Sequence, residues 1–358
     1  MNFASDNGAG VAAPILEAIV ASSRVNAPAY GADAYTARAA SRLCEIFERE
    51  LAVFLVSTGT AANALALAAL TKPWQAAFCH EEAHIIDDEC GAPEFFSGGA
   101  KLVGIPGLNG KIEPAALRAT LARFPLGQAK TTQPAALSLS QATEAGTAYR
   151  PAEIAALAAI AHEAGMRVHL DGARFANALV KTGASPAEMT WRSGVDVLSL
   201  GATKDGALAC EAVIMFDPAL AAATPYQRKR AGQTLSKGRF LGAQMEAWLA
   251  GGLWLDLARR ANTSARRLGE GLAKAPGVRL VFPVEVNEVF VVAPEAALAA
   301  WRAAGARFHD WSTRATPPEA APRAGEAMAR FVTSFETDEK EIDALIALAA
   351  APYRSRNS

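Results

Sequence analysis

Two apolar stretches of this sequence end on residues that water ordinarily claims. "VHLDGAR" runs into Asp171 and then Arg174, and "LSLGATK" runs into Lys204. A lysine after a strand is commonly a solvated surface residue, and a carboxylate near an arginine is commonly half of an ion pair. At the ends of two successive buried strands, however, the pair suggests catalysis. An amine can hold a carbonyl-bearing cofactor covalently, and a carboxylate can keep a proton on a ring nitrogen. That is the pattern expected of an enzyme using pyridoxal phosphate. Only ten of the 35 basic residues are lysines, and Lys204 is the one in this setting.

Two further stretches bear on the same chemistry. "STGTAANA" sets Thr58, Gly59 and Thr60 at a strand-to-helix turn, where free N–H groups and the helix dipole hold phosphate. Alone it is equally a tight turn, and the P-loop pattern GxxxxGK[ST] is absent. "CHEEAHIIDDECGAP" holds His80, His84 and a run of acids. Consecutive acids cannot all face one ion, so no metal is expected, and a histidine stacked on a cofactor ring fits better.

These residues need strands to carry them. Apolar runs predict strands at 51–59, 75–80, 134–143, 166–174, 195–204 and 211–216. Helices at 60–70, 113–124 and 150–165 lie between them, the last with Pro at its first turn and Gly at its stop. Alternation of this kind implies crossover connections and a mostly parallel α/β sheet covered on both faces, with ligands at the carboxyl ends of its strands. After about residue 250 the pattern changes to a long helix near 248–275, strands within 278–283, 288–294 and 328–336, an Ala/Pro-rich loop at 315–325 and a closing helix over 338–352. The expected division is a large domain over 1–250 and a smaller α+β domain over 251–358.

Composition excludes several classes. A chain of 358 residues, half of them hydrophobic, is long enough for such a two-domain fold, and a net charge of −1 gives no footprint for nucleic acid or an anionic membrane. No apolar run is long enough to span a bilayer, and the N-terminus lacks the features of a signal peptide. Four scattered cysteines match neither a metal site nor a disulfide framework, so the expected location is the cytoplasm.

The motifs "FASDN", "YGADAYT", "STGTAANALAL", "EEAHIIDDECGAPEFF", "LDGARFANALV", "LSLGATK" and "RFVTSFETD" occur in order over nearly the whole chain. In this the sequence resembles the low-specificity L-threonine aldolases, and most of all the bacterial branch whose lysine motif reads "GATK". The resemblance implies the aspartate aminotransferase-like fold (fold type I) and a pyridoxal 5'-phosphate cofactor. It further implies retro-aldol cleavage of L-threonine, L-allo-threonine and other L-β-hydroxy-α-amino acids to glycine and an aldehyde. A phenylserine aldolase, or another lyase or aminotransferase of this fold, is the alternative. An inactive scaffold protein would be expected to have lost Lys204 or Asp171, and both are present.

Carried across residue by residue, the resemblance gives Lys204 the cofactor linkage, Asp171 the ring nitrogen and His84 the ring face. Gly59 and Thr60 take the phosphate, and Ser5, Arg174 and Arg330 take the substrate carboxylate. Tyr30 and Lys229 reach in from a neighbouring subunit, Lys229 toward the phosphate, so a homodimer with shared sites, assembling to a homotetramer, is implied. Where many of these enzymes have a second histidine, this chain has Thr143. The group that takes the β-hydroxyl proton is therefore open among His84, Glu89 and a water molecule.

Overall fold

The computed structural model describes residues 1–351. Pro352, the last residue of the expected closing helix, and the end of the 251–358 unit lie outside them. The first sheet contains seven strands: β1 (Ala52–Val56), β2 (Gln75–His80), β3 (Lys101–Ile105), β4 (Gln133–Ser140), β5 (Arg167–Gly172), β6 (Val197–Gly201) and β7 (Glu211–Met215). Their spatial order is β1-β7-β6-β5-β4-β2-β3. All pairings are parallel except those of β7, which runs against both β1 and β6. The middle strands β5 and β6 are buried almost throughout. Helices cover both faces of the sheet, which is why these strands read as unbroken apolar runs rather than alternating ones.

Register then fixes the site. Asp171 on β5 lies opposite Ser140 on β4 and Ser199 on β6, so the carboxyl ends of these strands open on one crevice. The chain can close up here because both strands end in glycine. A Cβ on Gly172 would lie 2.7 Å from the Ser199 carbonyl oxygen, and one on Gly201 would lie 2.8 Å from the Ala173 backbone. The glycines of "LDG" and "SLG" thus bring the Asp171 and Lys204 loops together.

The second sheet holds β8 (Arg279–Leu280), β9 (Glu288–Pro294), β10 (His309–Trp311) and β11 (Glu326–Val332), ordered β10-β11-β9-β8 and wholly antiparallel. It has its own core around Phe331, Trp301 and Phe308, and Phe3 from the N-terminus packs into it. A bridge between Asn2 and Arg307 holds that end of the chain in place.

The long helix expected near 248–275 is observed at Leu253–Leu272, and Trp248 and Leu249 belong to a separate preceding helix. Arg239–Leu249 and Leu253–Leu272 are separated by a turn in which Gly251 and Gly252 adopt φ of 59° and 79°, a left-handed bend that non-glycine residues resist. Helix Leu253–Leu272 then ties the cores together. Trp254, Leu257 and Ala258 pack in the first, and Ala265, Leu268 and Leu272, on the same stripe, pack in the second. Strands β3 and β10 are not apparent in the sequence: "KLVGI" is short and glycine-bearing, and "HDW" is polar.

Candidate active site

The crevice at the strand ends is a cleft of about 320 Å³ that brings together Lys204, Asp171, His84, Arg174, Gly59 and Thr60. Lys204 stands in a short 3-10 turn directly after β6. Asp171 is buried and accepts two hydrogen bonds, from Asn63 Nδ2 at 2.8 Å and from the Ala173 N–H at 3.0 Å. Arg174, its neighbour in sequence, does not pair with it. It faces Asp6 of "FASDN" instead, with Nε at 2.8 Å and Nη2 at 3.1 Å from the two carboxylate oxygens. Among the described residues Asp171 therefore has no charged partner within salt-bridge distance, and the sequence reading of an Asp171–Arg174 pair falls away.

Asn63 comes from helix Gly59–Leu70, which crosses behind the sheet. Thr58 caps this helix by accepting from the Ala61 N–H. The N–H groups of Gly59 and Thr60, the first two helical positions, find no acceptor among the described residues. They face the cleft, and a Cβ built on Gly59 meets nothing within 4 Å. This is a helix N-terminus arranged for an anion.

His84 Nδ1 lies 2.8 Å from Glu89 Oε1, and that hydrogen bond raises the imidazole above its usual value of 6.5. Burial pushes Glu89 upward, while the bonds from His84 and Asn63 pull it down. Two more carboxylates line the cleft, neither apparent from sequence. Glu144 accepts from the His84 backbone N–H at 2.9 Å and the Ser140 hydroxyl at 2.7 Å, and burial lifts it to about 7. Glu211, at the start of β7, accepts from the Ala202 N–H at 3.0 Å and is likewise lifted by burial to about 7. Sequence offered little sign of either: "QATEAG" reads as a loop, and Glu211 opens an apolar strand.

Of the other expected residues, Thr143 lines this cleft, while Ser5, Arg330, Tyr30 and Lys229 do not. Ser5 caps a one-turn helix by accepting from the Asn7 N–H; Asn7 itself lines the cleft. Arg330, on β11, stacks over Trp311 at 4.2 Å and sits 3.9 Å from Glu288, which in turn lies 3.4 Å from Arg174. Tyr30 and Lys229 form one exposed patch, with Nζ 5.1 Å from the ring centroid. The Thr143 hydroxyl is bonded to the Thr147 hydroxyl at 2.8 Å. No cluster of three metal-ligating side chains occurs among the described residues.

The chain is similar over most of its length to known proteins. The family model described as beta-eliminating lyase matches residues 2–296. A low specificity L-threonine aldolase from Pseudomonas aeruginosa is 44% identical over 341 residues, covering 95% of this chain and 94% of that protein. The structure of Leishmania major threonine aldolase superposes with a TM-score of 0.89 at 28% identity, over 97% of this chain and 98% of that one. Serine palmitoyltransferase from Sphingomonas wittichii shares the fold alone, with a TM-score of 0.71 at 16% identity over 98% of this chain and 86% of that one. The architecture is that of the fold-type-I, aspartate aminotransferase-like enzymes. With a family match over most of its length and a full-length relative at this identity, the chain belongs to the beta-eliminating lyase family, among the low-specificity L-threonine aldolases.

Proposed function

We propose that this chain is a pyridoxal-phosphate-dependent aldolase that cleaves the Cα–Cβ bond of L-threonine, L-allo-threonine and related L-β-hydroxy-α-amino acids, releasing glycine and an aldehyde. The observation that carries the reading is Lys204 and Asp171 at the ends of neighbouring strands in one cleft, beside an open helix N-terminus. The residues fit the cofactor. The space at Gly59 admits a phosphate, Asp171 is a buried carboxylate with lone pairs beyond those given to Asn63 and Ala173, and Lys204 is the one amine among the cleft residues. When bound, pyridoxal phosphate supplies an electron sink for the carbon whose bond to Cβ breaks.

In this reading Lys204 holds the cofactor, Asp171 keeps a proton on the ring nitrogen, and Gly59 and Thr60 bind the phosphate through their N–H groups. Glu89 fixes the plane of His84, which offers its ring face. Arg174 and Arg330, with the Ser5 hydroxyl, take the substrate carboxylate, and Asp6 and Glu288 hold the two guanidiniums in place. A carboxylate held at fixed points stops rotation about N–Cα, so one bond at Cα is presented for cleavage.

The resemblance to the family also supports an assembly that uses residues outside the cleft. Tyr30 and Lys229 serve the cleft of a second copy, which makes a homodimer the active unit and a pair of dimers the complete enzyme. A cytoplasmic location is supported by four free thiols; among the described residues no helix is long and apolar enough to cross a membrane. The test is release of glycine and aldehyde from L-threonine, L-allo-threonine and L-phenylserine by the protein loaded with pyridoxal phosphate. Glycine is expected from all three. No glycine from any of them overturns the reading.

A further inference from the structure

We propose that Glu144 accepts the proton of the substrate's β-hydroxyl. The inference rests on the aldolase reading. In that reaction the O–H bond breaks and its electron pair becomes the second bond of the aldehyde carbonyl. The Cα–Cβ pair stays with the glycine fragment, which later takes up one proton at Cα. The hydroxyl proton therefore needs an acceptor within the cleft.

The cleft offers five titratable candidates besides Lys204, and four are committed. Asp171 is held by Asn63 and Ala173 and serves the ring nitrogen. Glu89 Oε1 takes both His84 and Asn63. Glu211 ties the Ala202 N–H beside Lys204, whose positive charge opposes its protonation. His84 is biased by Glu89 toward the imidazolium, which has no lone pair to offer.

Glu89, like Glu144, has a buried Oε2 without a partner among the described residues, but its carboxylate is tied to the His84 imidazole, whereas the partners of Glu144 are uncharged. Glu144 Oε1 receives both the Ser140 hydroxyl and the His84 N–H, which fixes the carboxyl plane. The Oε2 of Glu144 is withdrawn from solvent and has no hydrogen-bond partner among the described residues. A rigidly held carboxylate with one vacant, desolvated oxygen at the cleft wall is a general base in waiting. The groups around it are His84 on its short helix, Asp171 on β5, Arg174 beyond it, the Cys79 thiol on β2 and the Tyr149 hydroxyl. Burial and the Asp171 charge raise its affinity for a proton to about 7, the strength a base needs near neutral pH.

Glu144→Gln keeps an acceptor oxygen for Ser140 and His84 but cannot take a proton. In the cofactor-loaded enzyme, glycine release from L-threonine should fall by roughly 10²–10⁴-fold. Exchange of the glycine Cα hydrogen with deuterated water needs no hydroxyl base and should stay near the wild-type rate. The acid limb of the wild-type kcat/KM profile near pH 7 should disappear in Glu144→Gln and persist, at reduced rate, in Glu144→Asp. The cofactor-free protein gives a second readout. A carboxyl whose folded affinity is raised contributes stability that is complete below its unfolded value and lost as pH rises through about 7. Glu144→Gln should therefore melt higher than wild type at pH 8 and alike at pH 5. Cleavage and exchange falling together, or cleavage that stays near wild type with its acid limb intact, overturns the proposal. A wild-type protein that exchanges glycine but cleaves no β-hydroxy amino acid overturns the aldolase reading instead.

Discussion

In the proposed reading Lys204 and Asp171 divide the chemistry between an amine and a carboxylate, and their variants should fail differently. Lys204→Ala removes the one amine among the cleft residues, so the purified protein should lose both the visible absorbance of lysine-bound cofactor and turnover. Persistence of that absorbance would mean that another lysine is the attachment point. Asp171→Asn keeps the shape and the hydrogen bond from Asn63 but no longer holds a proton on the ring. It should retain cofactor and lose roughly 10²–10⁴-fold in kcat; a near-normal kcat would remove Asp171 from that role. Both residues are legible in the sequence because each ends an apolar run that only a buried strand explains. Asn63, Glu144 and Glu211 are not, because their settings are made by distant residues. Asn63 meets Asp171 from 108 positions away, and Glu144 is lifted by burial among β2, β5 and the His84 helix. A sequence shows that a carboxylate exists, and only packing shows that it is dry.

At the level of elements, two glycines perform opposite tasks and can be told apart. Gly201 is demanded by the fold, since a Cβ there would press on the Ala173 backbone at 2.8 Å. Gly201→Ala should destabilise the cofactor-free protein by about 1–3 kcal/mol, the usual cost of overpacking, visible as a lower urea midpoint. Gly59 is not demanded by the fold, since a Cβ there meets nothing within 4 Å, and in the proposed reading it serves the phosphate. Gly59→Ala should leave the urea midpoint of the cofactor-free protein unchanged or slightly higher, because alanine favours helix, while weakening pyridoxal phosphate binding measured by titration. Unchanged cofactor affinity in Gly59→Ala would show that the phosphate does not sit at this helix end. The same contrast marks where element reading stops. β2 is found at its observed bounds and the "LSLG" and "LDG" strands are found nearly so, because their apolar runs are unbroken. The long helix expected near 248–275 begins only at Leu253, because two adjacent glycines bend the chain before it in a way that apolar periodicity does not register.

Across the whole molecule, the two cores meet beside the cleft through buried charge. Asp6 joins Arg174 of the first unit to Asn287, next to β9. Burial would raise the Asp6 carboxyl, but the Arg174 and Lys204 charges together with these hydrogen bonds outweigh it and hold the group below 3.8. A lowered carboxyl contributes stability that is complete above the unfolded value and lost as pH falls through the folded one. Asp6→Asn should therefore cost about 3–5 kcal/mol at neutral pH, as loss of one partner of a buried pair does, and should flatten the acid-induced loss of stability below pH 3.8. An unchanged urea midpoint at pH 7 would show that the pair holds nothing together.

Tyr30 and Lys229 carry the argument beyond one chain. They lie against each other because Gly31 and Gly238 pack backbone to backbone, and the Tyr30 N–H reaches the Ser236 carbonyl. The patch they form is exposed and does not line this chain's own cleft. Tyr226, on the helix that bears Lys229, is 78% exposed, and exposed aromatic rings beside a lysine suit a surface that another copy covers. In a two-fold dimer each copy would give this patch to the other's cleft. Lys204→Ala and Tyr30→Ala would then be inactive alone for different reasons, and so would Lys204→Ala and Lys229→Ala. After dissociation and random reassociation of such a pair, half of the dimers are mixed, and each mixed dimer holds one cleft with no altered residue. Activity should return to about a quarter of wild type, following the fraction of mixed dimers seen by native mass spectrometry. Mixed dimers that form without any return of activity would assign Tyr30 and Lys229 to their own subunit, and the cleft of a single chain would have to be complete without them.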